Sequence, residues 1–235
     1  MSARSDHRDA LRALDPSDVP AFLTAHSGLP GSRGNLELLA AFGDVASDGL
    51  VLSLVGSDDE YHASCAAAAL GRLVAEHAED DALLPLLQAQ AADPRWRVRE
   101  GAAMGLQRLG DADAPRLRTV VAAWAADPNP LVQRAAVAGI CEPRLLRDPA
   151  TAAAALDACR VTTGLLSARP AIARRDPDLR TLRQALGYCW SVAVAGDPVA
   201  GLPAFAALDE AADPDVRWIV RENRKKARLA RLLET

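Results

Sequence analysis

The sequence predicts an all-α chain built as an array of paired helices, on three observations. Aromatic residues make up only 4 % of the 235 residues, while alanine runs recur as "CAAAAL" and "TAAAAL". That composition suits closely packed helices better than strands, which favour aromatic and β-branched residues. Apolar residues recur at helical spacing. Finally, Asp-Pro interrupts these patterns at Asp93-Pro94, Asp127-Pro128 and Asp213-Pro214, and proline disfavours the α conformation in the residue before it.

With 50 % hydrophobic and 25 % charged residues, the chain can bury a large core, and 1–235 reads as one helical-repeat domain. No apolar stretch approaches the roughly 18 uncharged residues of a membrane span. The opening "MSARSDHRDALRAL" lacks the apolar core of a signal peptide, so a cytoplasmic protein with no membrane contact is expected. Cys65, Cys141, Cys159 and Cys189 show no CxxC spacing and lie in apolar settings, so they read as buried free thiols. The net charge of −4 is uneven. Up to Ala92 there are 5 Lys plus Arg against 14 Asp plus Glu; from Asp93 onward there are 22 against 17. The C-terminal part is therefore expected to attract an acidic partner. Nearly all the positive charge is arginine, which, with the alanine content, reads as the composition of a GC-rich bacterial genome.

Residues 1–34 read as an N-terminal helical segment followed by a glycine-rich loop, "GLPGSRGNLE" at 28–37. That loop lacks the lysine of a phosphate-binding loop and follows no apolar strand. Ser57 to Leu73 looks like a helix without a preceding proline. The clearest unit spans 82–110. Leu83, Leu84, Leu86 and Leu87 form its first helix, Asp93 caps the second, and Gly110 is the expected stop. In that second helix Val98, Ala102, Gly105, Leu106 and Leu109 share one arc, at about 100° per residue. The same pattern returns 34 residues later in 115–141, with Trp124 before the turn and Leu131, Val132, Ala135, Ala136 and Ile140 after it. Residues 150–172 exceed one ordinary helix, and 174–195 carry Asp176-Pro177. In 202–233, Asp213-Pro214 divides a short helix from a long one. Paired helices at a period of about 34 residues suggest a solenoid, because a single pair cannot bury its own apolar face.

An apolar first helix, often holding a proline (Pro85, Pro203), then Asp-Pro, then Val-Arg leading an alanine-rich second helix, resembles the HEAT repeat, including the HEAT-like repeats of phycobilisome lyase relatives. The resemblance implies an α-α superhelix, a HEAT-like solenoid of about five to six helix pairs. It also implies a ladder between neighbouring repeats, in which Asp93 works with Arg99 and Asp213 with Arg221. The middle turn departs from this pattern, since Asp127 is followed by Gln133 in the arginine slot.

"RWRVRE" at 95–100 and "RWIVRE" at 217–222 lie 122 residues apart, each after an Asp-Pro turn. Trp96 and Trp218 fall about 200° round the helix from the core valine. They either pack on an adjacent turn or stand as recognition residues. The candidate binding surface is the second-helix face, with Arg97, Met104 and Arg108 from one repeat and an exposed stripe of Trp218, Arg221, Lys225 and Arg228 on the last helix. The run Arg217 to Arg231 carries seven basic residues against Glu222 alone; it reads as a solvated capping helix or a site for phosphate or acidic protein. Asn223, on the apolar side, is expected to bond a neighbouring turn.

No catalytic set emerges. His7, His26, His62 and His77 form no HExxH or Cys/His cluster, so neither a metal site nor a cofactor is expected. Asp58-Asp59 and Asp80-Asp81 read as helix caps rather than an acid/base pair. The expected function is a non-enzymatic protein-binding or scaffolding module. The alternative is a nucleic-acid-binding protein similar to the alkylpurine DNA glycosylases built from HEAT-like repeats, a resemblance that would put Trp124, Asp127 and Trp190 on a binding face.

Overall fold

The computed structural model describes residues 2–31 and 33–234. It is all-α, with no strand among these residues. The chain divides into two compact units, 1–112 and 113–235.

In the first unit the helices are α1 (Ala3–Ala13), α2 (Val19–His26), α3 (Leu36–Val45), α4 (Asp48–Leu54), α5 (Glu60–Glu76), α6 (Leu83–Ala91) and α7 (Trp96–Ala112). The starts of α1, α3, α4 and α5 follow from short polar residues, Ser2, Asn35, Ser47 and Asp59, that accept the otherwise unbonded first N–H groups. Asn35 Oδ1 accepts from Leu38 N at 3.0 Å, and Asp59 Oδ1 accepts from Tyr61 N at 2.8 Å and His62 N at 3.0 Å. Asp80 accepts from Ala82 N at 2.9 Å just before α6. α7 runs past Gly110 to Ala112, because Gly110 is buried inside the helix and the turn is made at Asp113, whose side chain caps the next helix through Arg116 N at 2.9 Å.

The core of this unit is the seam between α5 and α7, which lets two backbones nearly touch. A Cβ on Gly71 would lie 1.8 Å from the Gly105 carbonyl oxygen, and one on Gly101 would lie 2.5 Å from that of Ser64. Glycine is required there by close approach. Ala63, Ala67 and Val98 fill the seam, and Leu106 and Leu109 are fully buried, each contributing about 2 kcal/mol by leaving water. The C-terminal end of α3 is held by arginines. Arg72 donates to the carbonyls of Gly43 (3.1 Å) and Ala46 (2.6 Å), and Arg108 to that of Ala40 (2.5 Å). The Gly43 and Ala46 carbonyls lie at the helix end, where the helix has no N–H of its own to offer. Arg4 and Arg108 also clasp Asp44 at 2.7 Å and 2.9 Å.

The second unit comprises α8 (Ala114–Ala125), α9 (Pro130–Ile140), α10 (Pro149–Ser167), α11 (Pro177–Gly196), α12 (Pro198–Ala206), α13 (Pro214–Arg224) and α14 (Ala227–Leu233), with 3-10 turns at Leu145–Arg147, Ala171–Arg175 and Ala207–Glu210. The Asp-Pro pairs serve two purposes. At Asp148, Asp176, Asp197 and Asp213 the aspartate is itself the cap, with proline first in the helix, where its missing N–H has no bond to lose. At Asp93 and Asp127 the pair sits in the turn, and the helix begins three residues later. α8 packs on α9 and α10 on α11, and α11 also touches α9, α12, α13 and α14.

Helix pairs α4/α5, α6/α7, α8/α9 and α10/α11 pack as the repeat pattern requires. The last repeat does not. α12 packs chiefly on α11, and the 3-10 turn after it packs on α13. The long second helix expected there is two helices, broken where Lys226 turns extended (φ −82°, ψ 120°). The break swings Leu229 into full burial against α11 and brings Arg228 Nη2 to 2.7 Å from the Tyr188 hydroxyl. Tertiary burial overrides local helix propensity at this point. All four cysteines are free and buried, as expected.

Candidate functional site

The structure separates the residues that the sequence grouped as a binding face. Arg97 and Met104 line an open groove of about 550 Å³ in the first unit. Arg108 does not, because its guanidinium is fixed on Asp44 and the Ala40 carbonyl and fills the space over Gly43, where a Cβ would lie 2.6 Å from Cζ. Arg108 is a structural clamp, not a surface residue.

The expected ladder is also corrected. The Asp93 carboxylate is paired within its own turn by Arg95 (Nη2–Oδ2 2.8 Å), and Arg99 adds an electrostatic attraction to it. Arg99 Nη1 donates to the main-chain carbonyls of Asp93 and Pro94, both at 2.7 Å. Gln133 donates to the Asp127 carbonyl at the same 2.7 Å, so the arginine slot holds the turn in both repeats. The link to the preceding turn is Arg95 Nη1 to the Ser57 carbonyl at 2.6 Å. Asp213 is bound by Arg174, which also reaches Asp215 at 3.0 Å. Arg221 points to Glu222 at 3.5 Å instead.

The two tryptophans of the repeated hexamer differ because the hexamer enters its helix at different depths. Trp96 is the first residue of α7 and is 51 % exposed. Trp218 is the fifth residue of α13 and lies on α11, where a Cβ at Gly187 would be 2.7 Å from its Cζ3 and Arg183 stacks on its ring at 4.7 Å. The exposed stripe expected on the last helix is therefore not continuous. Trp218 is packed, Lys225 pairs with Glu222 at 2.7 Å, and Arg228 belongs to the next helix and bonds Tyr188. Arg224 pairs with Asp209 at 2.6 Å. Asn223 is buried and bonds the backbone of α11, accepting from Ser191 N and donating to the Leu186 carbonyl, both at 2.8 Å.

The groove is built at the N-terminal ends of α3 and α5 and along the N-terminal half of α7, and its walls are mostly apolar. α3 supplies Leu36 and Leu39, α5 supplies Tyr61 and Ser64, and α7 supplies Trp96, Gly101 and Met104. Leu36 stands 62 % exposed. The floor is fixed by Tyr61, whose hydroxyl donates to the Asn35 carbonyl at 2.6 Å. Burial pushes that hydroxyl's pKa well above its ordinary value, keeping it a donor. Arg97 lies on the Trp96 ring at 4.7 Å and pairs with Glu60 at 2.9 Å, which holds the indole at the lip of the groove. Arg33, Glu37 and Glu100 complete the rim. Residues 33–39 were not legible as part of a site, because that stretch read as a loop entering the array. The available signal was an asparagine, a common helix cap, directly before the apolar run "LELLAAF".

Elsewhere, Asp48, Glu76 and His77 come within ligand distance of one another, a grouping that sequence spacing did not reveal. Arg72 stands among them, 2.6 Å from Glu76 and 3.7 Å from Asp48, and His77 bonds Asp48 at 2.7 Å. The arrangement is an ion-pair network joining α4 to the end of α5. Trp124 and Trp190 are buried, Trp190 donating to Thr163 Oγ1 at 3.0 Å. Asp127 holds its turn through Asn129 N at 2.7 Å. The residues that a glycosylase-like face would present are therefore core and turn. No described helix is long and apolar enough to cross a membrane.

The paired helices and recurring turns define an all-α helical-repeat protein. Residues 47–141 match the family model described as HEAT repeats, a stretch that runs from the cap of α4 to the end of α9. HEAT repeats are generally protein-interaction scaffolds. No curated protein matches the chain. Among solved structures, the crystal structure of an engineered protein aligns over 100 % of this chain and 98 % of that one, at 15 % identity and a TM-score of 0.38. A likeness this loose has no bearing on function.

Proposed function

We propose that this chain is a non-enzymatic protein-binding or scaffolding module of the HEAT-like type, bacterial and cytoplasmic, that docks its partner in the groove between α3, α5 and α7. The observation that carries the reading is an apolar groove of about 550 Å³ with a half-exposed tryptophan held at its lip. Tryptophan and arginine are over-represented at the centres of protein interfaces, and concave apolar sites of a few hundred Å³ are where ligands and anchor side chains seat. The resemblance to phycobilisome lyase relatives rests on the Asp93-Pro94 turn and the Val98-Arg99 step, and fits a role in presenting surface to another protein.

Nucleic-acid binding is the second reading, and the basic run 217–231 is what favoured it. Arg224, Lys225 and Arg228 are each held by neighbours within 2.7 Å, which weakens that reading. The test is photo-crosslinking in the native cell from a benzoyl-phenylalanine placed at Leu36, compared with one at the exposed Ile172. A protein adduct formed from position 36 and not from 172 is the expected result. Adducts formed equally from both positions, or nucleic acid captured at either, would overturn the proposal.

A further inference from the structure

Resting on that reading of the groove, we infer that its occupant is a basic amphipathic protein segment, one that seats apolar side chains against Leu36, Trp96 and Met104 and carries lysine or arginine beside them. This reverses the sign expected from the charge of the C-terminal part, and the reason is where the groove lies. Residues 1–112 carry 9 Lys plus Arg against 17 Asp plus Glu, whereas 113–235 carry 18 against 14. All residues lining the groove belong to the negative unit. A surface of one sign raises the local concentration of oppositely charged partners and speeds their approach.

The local chemistry agrees. Arg97, the one cation in the groove lining besides Arg33, is already engaged on Glu60 at 2.9 Å. Glu37 is exposed on the rim and Glu100 half-buried, with Arg33 as the one exposed cation beside them. Trp96 already accepts a guanidinium against its ring at 4.7 Å and remains half exposed, so a partner's lysine or arginine can meet the indole by the same cation–π attraction. Apolar walls below a rim of indole and the carboxylates of Glu37 and Glu100, with Arg33 beside them, within a unit of net negative charge match a segment with apolar residues on one face and basic residues flanking them.

The experiment is a selection of randomised 12-residue displayed peptides on the full chain, followed by affinity measurement of the enriched peptides at 50 and 300 mM salt. Four proteins are compared: the wild type, a Trp96→Ala/Met104→Ser variant, a Glu37→Lys/Glu100→Lys variant, and the milder Glu37→Gln/Glu100→Gln, which serves if charge reversal disturbs the fold. Enriched peptides should carry apolar residues and a net positive charge. Their affinity should fall at least tenfold on reversing the two glutamates, by a smaller factor on neutralising them, and several-fold at the higher salt. Enriched peptides of neutral or negative charge, still sensitive to Trp96→Ala/Met104→Ser, would overturn the inference and leave the groove as a docking site. No enrichment, or binding indifferent to Trp96 and Met104, would overturn the docking reading and this inference with it.

Discussion

Arg99 and Gln133 perform the same task with different chemistry. Each sits six residues after the turn aspartate and donates to that residue's main-chain carbonyl at 2.7 Å. The job needs a long side chain with an N–H, not a charge, which is why a substitution that looked like a break in the ladder is none. Position in the sequence showed that a residue here mattered, but not which acceptor it would find. Asp44 was not singled out at all, because its partners Arg4 and Arg108 lie 40 and 64 residues away. Burial raises the Asp44 pKa, but hydrogen bonds from Arg4 and Arg108 pull it down further, and it ends below its ordinary value. A depressed native pKa means stability that is present above the unfolded carboxylate value of about 4 and lost as pH falls through the native one. Asp44→Asn should cost about 2 kcal/mol at neutral pH and flatten the loss of melting temperature between pH 5 and pH 3, as read by circular dichroism. The buried thiols give a second expectation. Cys65, Cys141 and Cys159 have pKa values raised above the ordinary thiol, burial being the leading cause for Cys65 and the hydrogen bond with Cys159 for Cys141. Thiolate is the reactive form, so a chromogenic disulfide reagent at pH 8 should label none of the four cysteines in the native protein and all of them in denaturant.

Helices were legible in proportion to how local their causes are. Caps and Asp-Pro turns are written in adjacent residues, and α6 to α9 lie at Leu83–Ala91, Trp96–Ala112, Ala114–Ala125 and Pro130–Ile140, around the turns at Asp93 and Asp127. The break between α13 and α14 has no local signal. It follows from where Leu229 and Arg228 find partners on α11, and this also dissolved the stripe expected across residues 218–228. The α5–α7 seam lies between these cases. The small residues were visible, but only the three-dimensional contact shows which glycines are obligatory. Gly71→Ala should destabilise by about 3 kcal/mol, since its Cβ would meet backbone rather than a movable side chain. Gly164, inside α10 with nothing within 4 Å of its added Cβ, should gain about 0.5–1 kcal/mol on substitution by alanine. Paired urea melts check both, and a destabilised Gly164→Ala or a neutral Gly71→Ala would contradict the packing described.

At the scale of the whole chain, the basic occupant inferred for the groove is opposite in sign to the acidic partner that composition led one to expect. In the positive C-terminal part Arg174, Arg183, Arg224 and Lys225 are among the basic residues held in ion pairs, while the open apolar groove lies in the negative unit. Net charge was legible from the sequence, but not which charges were already engaged or where an apolar concavity would form. That concavity joins residues 33–39 to 96–104 across some sixty positions of chain, with no repeat or motif relating them. Hydrogen–deuterium exchange of the full chain, with and without the protein captured from position 36, tests the central claim most directly. The account predicts slowed exchange in 33–39 and 96–104 on binding, with 214–233 unchanged. Protection confined to 214–233, with 33–39 and 96–104 exchanging as in the free protein, would contradict it.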